Sequence, residues 1–228
     1  AGFKADATAQ YLTIKNEYAA AIKIATLDII PVTVFIGVEI SRDRAKKTIT
    51  LSNGRFISKL AEKYAGQFTL SETPTSNTGV ARAAFDKFVP AAEGEECMDR
   101  IEYLELVGGL VWPASMTRPE LGYYVAKLGT CMARPQREHF KAALGVLGYL
   151  VRTKDYGITF GGPLKTPMGL DEKPEGFIES GGLHTYTDSS YGTMRRPFGG
   201  FAVMYNNGPV SYSARVMKST PLSTGEAE

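Results

Sequence analysis

The stretch 198–215, FGGFAVMYNNGPVSYSAR, decides the fold class. Two runs rich in aromatic and β-branched residues, Phe198 to Tyr205 and Pro209 to Arg215, flank Asn206-Asn207-Gly208. Asn-Gly between two such runs is a strong hairpin signal, because both residues tolerate the left-handed backbone of a tight turn. A third run, Leu183 to Asp188, precedes them. Three short antiparallel strands are therefore expected after the Gly/Pro-rich connection from Gly161 to Gly182.

Upstream, the texture is helical. Phe56, Ile57, Leu60 and Tyr64 share one face of a helix expected over Gly54–Ala65, with Ser52 or Asn53 as its cap. A helix from Met98 to Val111 would bury Ile101, Leu104, Val107 and Leu110 and stop at Trp112-Pro113. Thr117-Arg118-Pro119-Glu120 has the capping-box pattern and opens a second helix carrying Leu121, Val125 and Leu128. A third starts near Pro135, buries Phe140, Leu144, Leu147 and Val151, and ends before Gly157. Residues 67–97 read as loop and acidic linker. Nearer the start, Thr33 to Ile40 reads as a strand and Lys47 to Leu51 as its hairpin partner. Residues 1–32 give no firm pattern. Helices followed by a strand meander give an α+β chain.

Bulk composition is that of a globular protein: 43% hydrophobic, 22% charged, formal charge +2. Charge is uneven along the chain, however. Residues 41–66 hold Arg42, Arg44, Lys46, Lys47, Arg55, Lys59 and Lys63 against Asp43 and Glu62, which suits either a solvated face or a surface that follows a nucleic-acid backbone. The two cysteines, Cys97 and Cys131, lack metal or disulfide spacing. The longest apolar stretch, Ile29 to Val38, is too short to cross a bilayer. Gly199-Gly200 lacks the context of a nucleotide loop, and no serine sits in a nucleophile elbow. Ala1 in place of an initiator methionine, and Glu228 at what reads as a helix start, look like cuts.

Asp188 ends a strand where the chain turns polar, so its carboxylate can point into a cleft from a fixed backbone. A local turn-forming role is the alternative. Glu226 and Glu228 follow Ser223-Thr224, and either could serve a helix cap. A strand-end Asp followed by two strands and a helix-start Glu can also bring two hard oxygen donors to one divalent metal, Mg²⁺ or Mn²⁺ rather than Zn²⁺.

Several segments in series resemble copia-type retrotransposon Pol polyproteins. Phe35-Ile36-Gly37-Val38-Glu39-Ile40 is similar to the family's FLGxEI segment, and Ile49-Thr50-Leu51-Ser52 to ISLS. Leu106-Val107-Gly108-Gly109-Leu110 and Thr117-Arg118-Pro119-Glu120-Leu121-Gly122-Tyr123 resemble LVGxLxY and TRPDIxY. His139 to Gly157 resembles HxxAxxRxLRYLxGTxxxG, with Val146 and Gly148 where the family has arginines. Tyr186-Thr187-Asp188 and Ser223-Thr224-Gly225-Glu226-Ala227-Glu228 resemble the YTDADWAG and SSAEAEYxA motifs of its RNase H domain, with Tyr191 in place of Trp.

The resemblance implies an order of parts. Residues 1–97 would be the end of a reverse transcriptase, with a primer-grip-like hairpin and the start of the thumb. Residues 98–165 would be a helical thumb and connection region, and 183–228 the first part of an RNase H-like α/β fold, three antiparallel strands cut before the remaining helices and strands. It implies hydrolysis of RNA in RNA–DNA hybrids by carboxylates around two Mg²⁺ ions, Asp188 first and Glu228, chosen over Glu226 by the AEYxA frame, second. The polymerase aspartates would lie upstream, so no polymerase chemistry is expected of this chain. Isolated, it is expected to be catalytically silent. Implied partners are an RNA–DNA hybrid, a template–primer duplex and the rest of the polyprotein, with no membrane, in a cytoplasmic virus-like particle or the nucleus. The competing expectation is a non-catalytic remnant that at most binds nucleic acid through residues 41–66.

Overall fold

The computed structural model describes residues 33–75, 79–163, 183–190 and 197–217. Their elements lie in one compact unit within Val34–Glu228. The fold is α+β, with two separate antiparallel sheets and a helical core.

The first sheet has the order β1-β2-β3-β4: Val34–Phe35, Val38–Asp43, Thr48–Ser52 and Gly157–Gly161. Here the single strand expected over Thr33–Ile40 is corrected. Ile36 and Gly37 take φ of 48° and 75°, so the chain folds back into a two-residue hairpin turn. Alternation of apolar residues does not reveal such a turn; the Asn53 amide, donating to the Gly37 carbonyl at 3.2 Å, holds it. Strand β4 was not expected at all, since Gly157 and Gly161 bound it and read as breakers. Glycine is required at both positions, because a β-carbon would stand 2.1 Å from the backbone oxygens of Leu51 and Lys47.

Helix α1, Gly54–Lys63, follows the expected face, burying Ile57 while Tyr64 closes it. Asn53 occupies its N-cap position but makes no side-chain cap. Its side chain is buried instead, and its Oδ1 accepts from the Thr117 hydroxyl. That bond also consumes the cap expected of Thr117: the segment opens with a 3₁₀ turn, Pro119–Leu121, before helix α4, Gly122–Gly129. Helix α2, Gly79–Asp86, replaces part of the expected loop.

Helix α3, Arg100–Met116, begins at Asp99, whose side chain accepts from the Ile101 amide at 2.8 Å. It runs through Pro113 rather than stopping there. Val107 and Leu110 are buried as expected, together with Tyr103, Leu106 and Ala114, and the expected face is corrected at its start: Ile101 is exposed and Leu104 only half-buried. Helix α5, Arg137–Arg152, forms as expected and starts with a reciprocal cap between Gln136 and His139. Phe85 and helices α1, α3, α4 and α5 share one apolar core.

The second sheet, β5-β6-β7, comprises His184–Ser189, Phe198–Tyr205 and Gly208–Val216, close to the expected runs. Asn206 and Asn207 both have positive φ and form the turn, with Gly208 already paired to Tyr205. The Ala214 β-carbon lies against Gly122 of α4, and Phe198 packs edge-on to Tyr123 at 5.2 Å.

Candidate functional site

Asp188 sits on β5 paired across the ladder with Gly200, which in turn pairs with Ala214. Directly opposed residues point to the same face. The carboxylate therefore shares the face that meets α4, and it is exposed. It opens onto a cavity of about 730 Å³ between the end of β5 and helices α2 and α4.

The opposite wall is an aromatic and charged network that sequence reading missed. Arg82 donates to Asp86 Oδ1 at 3.2 Å and to the Tyr124 hydroxyl at 3.1 Å. Its guanidinium lies 5.0 and 5.4 Å from the ring centres of Tyr123 and Tyr124. The Tyr123 hydroxyl donates to the same Asp86 oxygen at 2.6 Å. Burial, then the Asp86 carboxylate, pushes the Tyr123 phenol well above its ordinary range, so it remains a donor. Asp86 is thereby engaged twice, whereas Asp188 faces the cavity. The wall's two local pairs, Arg82 with Asp86 and Tyr123 with Tyr124, stand at least 37 residues from each other and 64 to 106 residues from Asp188, so no local pattern announces it.

Glu228 and Glu226 lie outside the described residues. Among the described residues, no three His, Cys, Asp or Glu side chains converge as a metal site. Asp188 is an oxygen donor of the kind Mg²⁺ takes, but one such group does not hold a metal pair.

All seven basic residues of 41–66 are exposed on the β2–β3 hairpin and α1. Three are ion-paired: Lys46 with Asp43 at 3.6 Å, Arg55 with Glu39 at 2.9 Å, and Lys63 with Glu105 at 2.6 Å. Arg42, Arg44, Lys47 and Lys59 make no ion pair among the described residues. Val146 and Gly148, standing where the resemblance has arginines, are packing positions: Val146 is fully buried, and a β-carbon on Gly148 would meet the Thr69 carbonyl oxygen at 2.0 Å.

Arg118 is also buried and is a structural anchor. Its guanidinium donates to the Thr153 carbonyl at 2.9 Å, to the Thr153 hydroxyl at 2.6 Å and to Glu120 at 2.6 Å, between the rings of Tyr149 and Tyr156. No described helix is long and apolar enough to cross a membrane.

This is an α+β chain with one exposed strand-end carboxylate facing an aromatic, cation-bearing wall. It is similar to retrotransposon proteins, several of them Pol polyproteins, and to one secreted effector. It is 24% identical over 204 residues to the retrovirus-related Pol polyprotein from transposon TNT 1-94 of Nicotiana tabacum, covering 88% of this chain and 14% of that protein. It is 27% identical over 199 residues to the putative transposon Ty5-1 protein of Saccharomyces cerevisiae, covering 85% of this chain and 57% of that one. A secreted RxLR effector protein 161 of Plasmopara viticola is 29% identical over 133 residues, 58% of this chain and 84% of the effector. In the tobacco relative the matched stretch is a small part of a much longer polyprotein. No protein-family model matches the chain. No solved structure matches it significantly.

Proposed function

We propose that this chain is a segment of a copia-type Pol polyprotein that works in reverse transcription, spanning the reverse-transcriptase thumb and connection and entering an RNase H domain. The observation that carries this reading is Asp188, an exposed carboxylate fixed at the end of a strand and open to a cavity. Similarity to Pol polyproteins along most of the chain supports it. Asp188 would hold Mg²⁺ together with Glu228 and carboxylates from the rest of the polyprotein. The metal, when bound, would activate water and stabilise the leaving 3′ oxygen of an RNA phosphate. The chain's own part is to fix Asp188 on the sheet, while α2 and α4 present Arg82 and Tyr123 across the cleft.

Hydrolysis is thus a property of the longer polyprotein, in a cytoplasmic particle or the nucleus. With Asp188 and Glu228 as the carboxylates this reading assigns to the metal pair, and Asp86 already engaged by Arg82 and Tyr123, the 228-residue chain alone should be inactive on an RNA–DNA hybrid, and a longer Pol segment active with Mg²⁺ and silenced by Asp188→Asn. Mg²⁺-dependent cleavage by the short chain, abolished by the same substitution, would sink the inactivity claim. An active longer segment indifferent to Asp188→Asn would sink the site.

A second reading, a non-catalytic remnant that binds nucleic acid, is favoured by the four exposed cations Arg42, Arg44, Lys47 and Lys59, which make no ion pair among the described residues. It requires that hybrid affinity fall steeply with salt. A flat response counts against it.

A further inference from the structure

Gly200 lies directly across the ladder from Asp188 on the face that lines the cavity. Glycine weakens a strand interior, and it often marks a close approach by a ligand or another backbone. Two internal reasons for glycine are absent here. Its backbone is not left-handed, unlike that of Gly37 or Gly161. A β-carbon built on it would meet only the Ser213 oxygen at 3.4 Å and the Ala214 β-carbon at 3.9 Å among the described residues, both ordinary contacts. The neighbours differ. On Gly199 the added carbon would stand 2.7 Å from the Met217 methyl, and on Gly122 it would stand 3.1 Å from Ala214. Packing accounts for Gly122, and at Gly199 the end of the Met217 side chain would have to move; neither holds for Gly200.

We propose that the space left by Gly200 receives the sugar–phosphate backbone of a nucleic acid, and that this residue sets how closely a phosphate can approach Asp188. The inference rests on the reading of Asp188 as a hydrolytic carboxylate. The facing wall suits an anionic backbone: Arg82 is about half exposed, and Lys87, which also lines the cavity, is exposed. Asp86, the acid on that wall, is held by Arg82 and Tyr123. A side chain at position 200 would stand between the strand and the phosphate.

The test is binding of a fluorescent RNA–DNA hybrid to the 228-residue chain and to Gly200→Ala and Gly200→Val, with melting temperatures measured alongside. Expected is weaker binding for alanine and about tenfold weaker binding for valine, the low end of what a misfitting methylene costs in a shaped site. Melting temperatures should hold or rise, because a side chain is added to an open strand position. Should valine melt early, alanine decides. Equal affinity in all three proteins overturns the role of Gly200 and leaves the reading of Asp188 standing. No hybrid binding by the unaltered chain overturns the role of Gly200, whereas the reading of Asp188 falls only with an active longer segment indifferent to Asp188→Asn. Weaker binding that merely tracks a lower melting temperature also overturns the proposal.

Discussion

The helical core and the three-stranded sheet bury their residues on different terms. In the helices, Tyr103, Leu106, Val107, Leu110, Leu121, Leu128, Leu147 and Leu150 are wholly removed from water and touch one another. Among the described residues of β5–β7, Phe198 is the buried hydrophobic side chain, while Phe201, Tyr205 and Val210 are exposed. The sheet thus leans on the helices through Phe198 and Ala214 and contributes little core of its own. Chemistry-bearing groups collect at this seam. A carboxylate on a sparsely packed sheet keeps its access, while the dense helical region fixes the wall opposite.

The contrast is broken most directly by truncating one residue in each region. Leu147→Ala removes a fully buried side chain from the core and should cost ~2–5 kcal/mol. Val203→Ala, on the half-buried sheet, should cost roughly 1 kcal/mol or less, since only part of the side chain leaves water on folding. Urea denaturation of both variants checks the difference. Equal losses would mean that the sheet is as tightly packed as the helices.

Arg118→Lys comes next and tests whether the helical region depends on a polar anchor as well as on apolar packing. Lysine keeps the charge but cannot donate to both Thr153 oxygens while lying between Tyr149 and Tyr156. Loss of about 2–3 kcal/mol is expected from the lost charge-assisted bonds, even though the Thr153 carbonyl still accepts from the Tyr156 amide and its hydroxyl still donates to the Tyr149 carbonyl. The bond to Glu120 adds little, because that carboxylate is 40% exposed and screened by water. Stability equal to that of the unaltered chain would show that charge alone suffices there.

The same contrast explains what the sequence made legible. Runs with strong one-sided periodicity, such as Ile57 to Tyr64 and Leu144 to Val151, came out as helices with the expected faces, because burial enforces the period. Helix α3 carries apolar residues on several sides, so periodicity fixes its phase only in part: Val107 and Leu110 are buried as expected, while Tyr103 and Leu106 take the place of Ile101. Caps failed where tertiary bonds outbid them: Asn53 and Thr117 satisfy each other across 64 residues. At the candidate site, Asp188 was legible from its strand end. Arg82, Asp86 and Tyr123 were not, since the first two, on α2, meet the third, on α4, only through packing between segments far apart along the chain.

The smallest expected effect is a pH dependence seated in the helical core. The Gln136 amide donates to His139 Nδ1 at 3.0 Å, so that nitrogen must be unprotonated for the cap to exist. Burial holds the His139 imidazole below its ordinary value of 6.5; Lys127 adds to the shift, and Glu138 opposes it. The unfolded chain then binds the proton first. Stability is complete above about pH 6.5 and is lost as pH falls through the lowered folded value, with a slope of at most about 1.4 kcal/mol per pH unit for one group. His139→Gln keeps an acceptor at the third helical position, where glutamine completes a capping box, and removes the titration. Denaturation midpoints between pH 7.5 and 5 (roughly a unit either side of an ordinary histidine) should therefore fall less for the variant than for the unaltered chain. Identical slopes would move the acid sensitivity away from His139 and out of the helical core.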